Sequence, residues 1–371
     1  MNAFGRIFRV HIFGESHGES AGVNIDGCPA GLPLSEEDFV VDIERRKGGT
    51  QKGTTPRKED DIPIFKSGLF NGKTTGAPIT ILFENKNTRS GDYEKQRAVP
   101  RPGHADFVAH AKFGGYEDFR GGGHFSGRLT VCLVAVGVIA KKLLAYTDLT
   151  PDPSPKERGA TQKTELGQAN EALSFGEGLG EVTPGKGISV AATILEIGGE
   201  TDLEKGLQKA IDQKDSVGGI VECRTGGLPV GLGEPFFDSA ESVISHAVFA
   251  IPAIRAIEFG TGFAAAKMFG VEHNDAIADK TGKTITNHAG GVVGGITNGN
   301  ELVFRIAVKP TSSTPKEQHT LNWETGEVES FSVKGRHDLC IALRVPVVLE
   351  AVTAMVLVDL LILEQHIKRT I

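Results

Sequence analysis

Six short segments of the chain gather imidazole, guanidinium, hydroxyl and glycine groups in patterns that could do chemistry. Ser16-His17 lies between Gly14 and Gly18, so a ligand could approach the backbone there, and an unperturbed His titrates at about 6.5. Taken alone, that pentapeptide reads better as a turn that happens to hold a His. A second His sits in the turn Arg101-Pro102-Gly103-His104-Ala105-Asp106, where Pro sets φ and Gly relieves the bend. A surface turn with an Arg–Asp pair is an equal reading of it. Arg120-Gly121-Gly122-Gly123-His124-Phe125-Ser126-Gly127-Arg128 leads straight into an apolar segment. Backbone N–H groups exposed by glycine at a helix start, with Arg on either side, suit an anion. A flexible loop is the weaker reading.

Arg45, Arg46, Lys47, Lys52, Arg57 and Lys58 form a basic cluster suited to an anionic ligand. Lys47 and Lys58 read equally as solvated charges. Lys309-Pro310-Thr311-Ser312-Ser313 offers an ammonium and hydroxyls to a phosphate or a flavin edge, or else is a capped turn. Gly335-Arg336-His337-Asp338 places a cation, an imidazole and a carboxylate together, as a surface salt bridge also would. No Ser-His-Asp order with a nucleophile elbow occurs. His11, His110, His246, His273, His288, His319 and His366 are scattered, with no metal-ligand spacing, so no metal is expected.

These segments need elements to hold them. Phe8–Phe13 and Val23–Asp26 read as short strands around the Ser16-His17 loop. Ser35 is a plausible cap, with Asp38 at the box position, for a helix running to about Arg46 and stopping at Gly48-Gly49. Pro78–Phe83 reads as a strand. Thr130–Leu144 and Val347–Leu363 are apolar nearly all round, which places both helices inside the protein. Ile188–Ile197, Gly219–Cys223, Ala253–Phe259 and Leu302–Val308 have strand composition, and Leu203–Ile211 and Ala240–Ile251 look helical. Thr150–Pro184 is rich in Pro, Gly, Ser, Thr, Glu and Lys, too poor in apolar groups to offset its chain entropy. Residues 150–184 are therefore expected to be a disordered surface insertion.

The chain as a whole sets limits on function. At 371 residues with 39% apolar and 23% charged residues it can bury a real core. A net charge of −7 and 6% aromatic residues argue against a nucleic-acid partner. The four Cys (Cys28, Cys132, Cys223 and Cys340) have no paired spacing and read as buried thiols. The opening residues carry Arg6, Arg9 and His11 without a long apolar run, and Glu350 and Asp359 interrupt the last apolar stretch. No secretory signal or membrane span is expected, and a cytoplasmic setting is the default.

Read together, the segments closely resemble the chorismate synthase family. The resemblance rests on Gly14–Gly18 through Pro29, Arg45-Arg46, Thr54–Arg57, Arg101–Asp106, Arg120–Arg128, Asn287–Gly291, Lys309–Ser313 and Gly335–Asp338, in the family's order. It spans nearly the whole chain except 150–184. The resemblance implies an α+β fold, a β-α-β sandwich with internal helices between two antiparallel sheets. Residues 1–371 would form one domain, assembled as a homotetramer.

It implies a lyase of the shikimate pathway, which serves aromatic amino-acid biosynthesis. The reaction is the anti 1,4-elimination of phosphate from 5-enolpyruvylshikimate-3-phosphate to give chorismate. Reduced FMN (FMNH2) is the implied cofactor, with no net redox change. NADPH enters only indirectly, as the source of reduced flavin, and an external flavin reductase is the expected partner. By resemblance His17 protonates the leaving phosphate with Ser16 beside it, and His104 tunes the flavin. Asp338 helps remove the C6 proton, with Ser126 in the proton path. Arg45, Arg46, Lys52, Arg57 and Arg128 hold the substrate's anionic groups. His124, Phe125, Ser126, Ala253, Gly294, Lys309, Pro310, Thr311, Ser312, Ser313 and Arg336 contact FMN. Relatives often carry Arg-Ser-Ser-Ala-Arg where this chain has His124–Arg128, and Arg where it has Lys52. Two rivals remain: a non-catalytic flavin- or phosphate-binding protein, and a flavin oxidoreductase, which would need a nicotinamide fingerprint.

Overall fold

Alternating apolar residues set up the first of two antiparallel sheets. In β5 (Ile79–Glu84) the side chains of Ile79, Ile81 and Phe83 are fully buried while the residues between them face outward, the period-two pattern of a strand with one buried face. Its companions are β1 (Ala3–Phe4), β2 (Arg9–Gly14), β3 (Ser20–Asp26) and β4 (Ile64–Ser67), in the order β1-β2-β3-β5-β4. The second sheet has the order β8-β9-β7-β6, from β6 (Ser189–Ile197), β7 (Gly219–Gly226), β8 (Ile254–Phe259) and β9 (Leu302–Val308). Every pairing in both sheets is antiparallel. The computed structural model describes residues 2–49, 52–55, 59–87, 97–146, 187–333 and 337–371. The expected insertion at 150–184 lies outside the described residues, as do Arg57 and Arg336.

The helices of two turns or so and longer are α1 (Val40–Arg46), α2 (Asp106–Phe113), α3 (Thr130–Ala145), α4 (Leu203–Gln213), α5 (Ala240–Val248) and α6 (Val345–Leu363). The two apolar helices lie between the sheets as expected. α3 packs on strands of the first sheet, α6 on β6 and β7 of the second, and the two pack on each other. They can come close because Gly137 has no side chain: a Cβ there would sit 2.2 Å from Ala351 Cβ. Among the described residues only Ile341–Leu363 is long and apolar enough to cross a membrane, and it is buried inside the protein. The four cysteines are free and buried, and burial pushes Cys28, Cys132 and Cys223 up to about 12, so these thiols stay protonated.

The two acidic residues inside α6 are structural. Asp359 accepts the backbone N–H groups of Arg6, Ile7 and Phe8, each at 2.8 Å, and so ties the N-terminal turn to the core. Glu350 accepts both terminal nitrogens of Arg45 at 2.7 Å, Lys141 Nζ at 2.6 Å and the Ala192 N–H at 3.1 Å. Arg45 was expected to hold the substrate. In the structure the carboxylate of Glu350 draws its guanidinium into a network joining α1, α3, α6 and β6, and Arg45 is not among the residues lining the cleft described below.

The two sheets continue through matching turns. After β3, Gly27 and Gly31 take φ of +75° and +98°; after β7, Gly227 and Gly231 take +78° and +113°. Thr74 Oγ1 accepts Leu32 N–H at 3.0 Å and donates to Pro29 O at 2.6 Å. Thr297 Oγ1 accepts Leu232 N–H at 2.9 Å and donates to Pro229 O at 2.7 Å. A helix follows each turn, α1 in one half and α5 in the other. The chain is thus built of two related halves, each giving one sheet and one central helix. The signal in the sequence was Pro-x-Gly-Leu at 29–32 and again at 229–232.

Candidate active site

A cleft of about 740 Å³ opens where the end of α1, the start of α3 and the loops after β2, β5 and β9 meet. That volume falls within the roughly 300–1,000 Å³ of small-molecule and cofactor sites. His17 lines it and is nearly buried. Its loop is held by backbone groups: Ser16 N–H donates to Gly123 O at 3.1 Å, and Asn85 Nδ2 donates to Glu15 O and Gly18 O, both at 2.9 Å. The glycine segment passes directly against the imidazole. Gly121, Gly122 and Gly123 all have positive φ. A Cβ on Gly121 would lie 2.5 Å from His17 Cδ2 and 2.6 Å from Nε2. The visible duty of these glycines is therefore close approach. Gly121→Ala is expected to displace His17 and lower turnover by on the order of 10²-fold. Steady-state kinetics would test this, and a rate within about threefold of the parent would contradict it.

His104 stands at the start of α2, a helix that sequence reading missed. Its Nδ1 lies 2.6 Å from Asp106 Oδ1 and 3.0 Å from Arg101 Nη2; the shorter contact, to a carboxylate that can only accept, places the proton on Nδ1, and Nε2 is turned towards Gly122. Arg101 clamps the same carboxylate, Nε to Oδ2 at 2.7 Å and Nη2 to Oδ1 at 2.8 Å. Burial works to raise the Asp106 pKa, but hydrogen bonds from Arg101 and His104 outweigh it and hold the group well below the usual carboxylate range. The same turn meets the Lys309–Ser313 segment. Lys309 Nζ donates to Gly103 O at 2.6 Å and to Ser312 Oγ at 2.9 Å, and Arg101 Nη1 to Ser313 Oγ at 3.3 Å. Segments some two hundred residues apart thus form one wall.

The cationic wall is built from Arg46, Arg128 and Arg344. Arg46 Nη2 donates to Asp61 Oδ2 at 2.7 Å, and Arg128 Nη1 donates to the other oxygen of Asp61. Arg128 Nε donates to Asn85 Oδ1 at 2.9 Å, which links this guanidinium to the His17 loop. Arg344 Nη1 donates to Asp338 Oδ2 at 3.0 Å, and Thr55 N–H donates to Asp338 Oδ1 at 2.8 Å. Desolvation, aided by the neighbouring Arg344 and Arg128, pushes Arg46 down to about 10.

Of the residues singled out beforehand, His17, His104, Asp338, Ser126, His124, Phe125, Ala253, Lys309, Pro310, Thr311, Ser312, Ser313, Arg46 and Arg128 line this one cleft. Ser16 is buried behind it, its Oγ 3.0 Å from where a Gly121 Cβ would be. Lys52 is turned away to Gln208 Oε1 at 3.0 Å, because α4 supplies an acceptor outside the cleft. Gly294 sits in the turn between Val292–Val293 and Ile296–Thr297 and is not among the lining residues. Asp61, Asn85, Arg101, Asp106 and Arg344 were not singled out for the site. Arg101 and Asp106 could have been, since their spacing around His104 was in view.

The chain matches the chorismate synthase family profile over residues 8–362. It is 67% identical over 369 residues to the chorismate synthase of Chitinophaga pinensis, covering 100% of this chain and 99% of that one. It is 43% identical to the chorismate synthase of Methanocaldococcus jannaschii, covering 98% and 96%. This chain belongs to the chorismate synthase family. A crystal structure of a chorismate synthase shares the fold at a TM-score of 0.66 and 24% identity, over 97% of this chain and 93% of that one. The chain is accordingly a carbon–oxygen lyase, and its place in this family implies a flavin cofactor and a small-molecule substrate.

The cleft fits such a cofactor. Leu133, Ile251, Val348 and Met355 give it apolar surface for a ring system, and Lys309, Ser312 and Ser313 bring polar groups to the same space. Among the described residues, Thr311 Oγ1 and Arg46 Nε are buried without a hydrogen-bond partner, as donors awaiting a bound group would be.

His337 shares the cleft, and burial, then the charge of Arg101, push its pKa down to about 4 against the pull of Asp338. The ring is therefore neutral when folded but takes a proton near pH 6.5 when unfolded. Its contribution to stability is full above about pH 6.5 and is lost as pH falls towards 4. An NMR titration of the His337 ring should find its midpoint near 4; a midpoint at the ordinary value would refute the assignment.

Proposed function

We propose that the chain converts 5-enolpyruvylshikimate-3-phosphate to chorismate by anti 1,4-elimination, with reduced FMN and no net redox change. The C6–H electron pair becomes one new double bond, the ring π-bond shifts, and the C3–O pair leaves with phosphate. One observation carries the reading: His17, His104, Asp338, Arg46, Arg128 and Lys309–Ser313, scattered through the chain, line a single cleft. When bound, reduced FMN would lend electron density to the breaking C–O bond and recover it as the hydrogen leaves.

The residues divide the remaining work. Arg46 and Arg128 hold the substrate's anionic groups by charge-assisted hydrogen bonds. His17 hands a proton to the departing phosphate oxygen. Asp106 fixes the tautomer of His104 beside the flavin, and Lys309–Ser313 with Ala253, His124 and Phe125 hold the cofactor. Asp338 serves the proton lost from C6, with Ser126 in its path.

The reading extends to one domain over residues 1–371, a cytoplasmic homotetramer, and an external reductase that uses NADPH to supply reduced FMN. Support for assembly comes from Phe236, Phe237, Phe263 and Phe269, which are all exposed on one chain. Anaerobic incubation with substrate and reduced FMN, following phosphate and chorismate together, tests the reaction. Equal release of both is expected; no product with reduced flavin present would end the proposal.

A further inference from the structure

Asp61 is an unusual residue for a loop. It is a non-glycine residue with φ of +52°, and its side chain is fully buried. Its two oxygens are divided, Oδ2 to Arg46 Nη2 and Oδ1 to Arg128 Nη1. The side chains of those two arginines are themselves 4% exposed, and both residues line the cleft. A left-handed backbone at a buried Asp persists only where its surroundings hold it, and such positions gather at functional sites.

The two arginines come from different elements, one from the last turn of α1 and the other from the turn that opens α3. Without a shared counter-charge they would repel, and nothing else among the described residues bridges them. Each has further ties that fix direction. Arg46 Nη1 donates to Thr130 Oγ1 at 3.2 Å, and Arg128 Nη2 to Glu84 O at 3.3 Å. What is left over is Arg46 Nε, a buried donor without a partner among the described residues, in a cleft-lining side chain. Burial works to raise the Asp61 pKa, while Arg46 and Arg128 outweigh it and keep the carboxylate charged.

We infer that Asp61 is a positioning residue: it sets the spacing and direction of the Arg46 and Arg128 guanidinium groups so that both meet the anionic groups of the phosphorylated substrate together. The inference rests on the reading of those arginines as substrate-holding groups. Asp61 itself lines the cleft, but its two oxygens are taken up by Arg46 and Arg128. It acts on binding, through the geometry of two donors that already exist.

The test is kinetic and uses the full chain with reduced FMN. Asp61→Asn suits it because Asn tolerates the left-handed backbone and keeps the shape while removing the charge. Its KM for the phosphorylated substrate should rise by on the order of tenfold, with kcat and flavin affinity changed less than about threefold. A folded Asp61→Asn protein with unchanged KM would overturn the inference, as would a fall in kcat at unchanged KM. Where the single variant does not fold, the double variant Asp61→Asn with Arg128→Gln removes one charge of each sign. Its KM should exceed that of Arg128→Gln alone by well under tenfold, because Asp61 then has only Arg46 left to orient. A further tenfold loss, on the order of what independent sites would give, would refute the coupling. Arg128→Gln with unchanged KM would instead remove the reading of the arginines, a result distinct from failure of Asp61 alone.

Discussion

His17→Ala will slow turnover by on the order of 10²–10⁴-fold, the range for loss of one positioned proton donor. The fold should survive, because the loop around His17 is held by main-chain groups. Ser16 N–H, Glu15 O and Gly18 O make the hydrogen bonds, and none depends on the imidazole. Flavin should still bind, since the Lys309–Ser313 wall is tied to Gly103 and Arg101 instead. The loss should also depend on the leaving group. Phosphate leaves more easily once protonated, so an analogue with a less basic leaving group should suffer a smaller defect in the variant. Single-turnover rates with both substrates measure this. A defect of equal size for both would show that His17 acts by something other than proton donation.

Much of this was legible before the fold was known, for a physical reason. Helices without a polar face have only one place to go, and Thr130–Ala145 and Val345–Leu363 lie between the sheets. Motifs such as Arg101–Asp106 and Lys309–Ser313 name themselves by composition, and they do meet. What escaped were the residues whose importance lies in a distant partner. Arg45 and Arg46 are neighbours of one type, but consecutive residues on a helix point about 100° apart. Which one faces the cleft is decided by Glu350, hundreds of residues later, and by Asp61 in a loop. Asp61 and Asn85 belong to no motif; only the folded chain brings them against Arg128. α2 escaped because its pattern is short and weakly one-sided, with Phe107, Val108 and Phe113 all exposed. The relation between the halves was written in two Pro-x-Gly-Leu runs but needed the Thr74 and Thr297 hydrogen bonds to become visible.

Glu350 offers the largest expected effect on stability. It is a buried carboxylate on α6 facing two cations, Arg45 from α1 and Lys141 from α3, with the Ala192 N–H of β6 completing its bonds. Glu350→Ala leaves both cations with only Asp42, which Arg45 meets at 3.0 Å and Lys141 at 2.9 Å. Removing one partner of a buried pair costs about 3–5 kcal/mol. Arg45 is partly exposed and can turn to water, so the lower end, about 3 kcal/mol, is expected. Urea unfolding would measure it, and a loss below about 1 kcal/mol would show that solvent already screens the network. Replacing Glu350, Arg45 and Lys141 together by Met should recover most of that loss, because the charges are costly to bury as well as costly to unpair. Arg45→Ala separates this structural role from the one first expected of it. Stability should fall while the KM for the phosphorylated substrate stays where it was. A raised KM at undiminished stability would return Arg45 to the substrate and leave Glu350 without its partner's purpose.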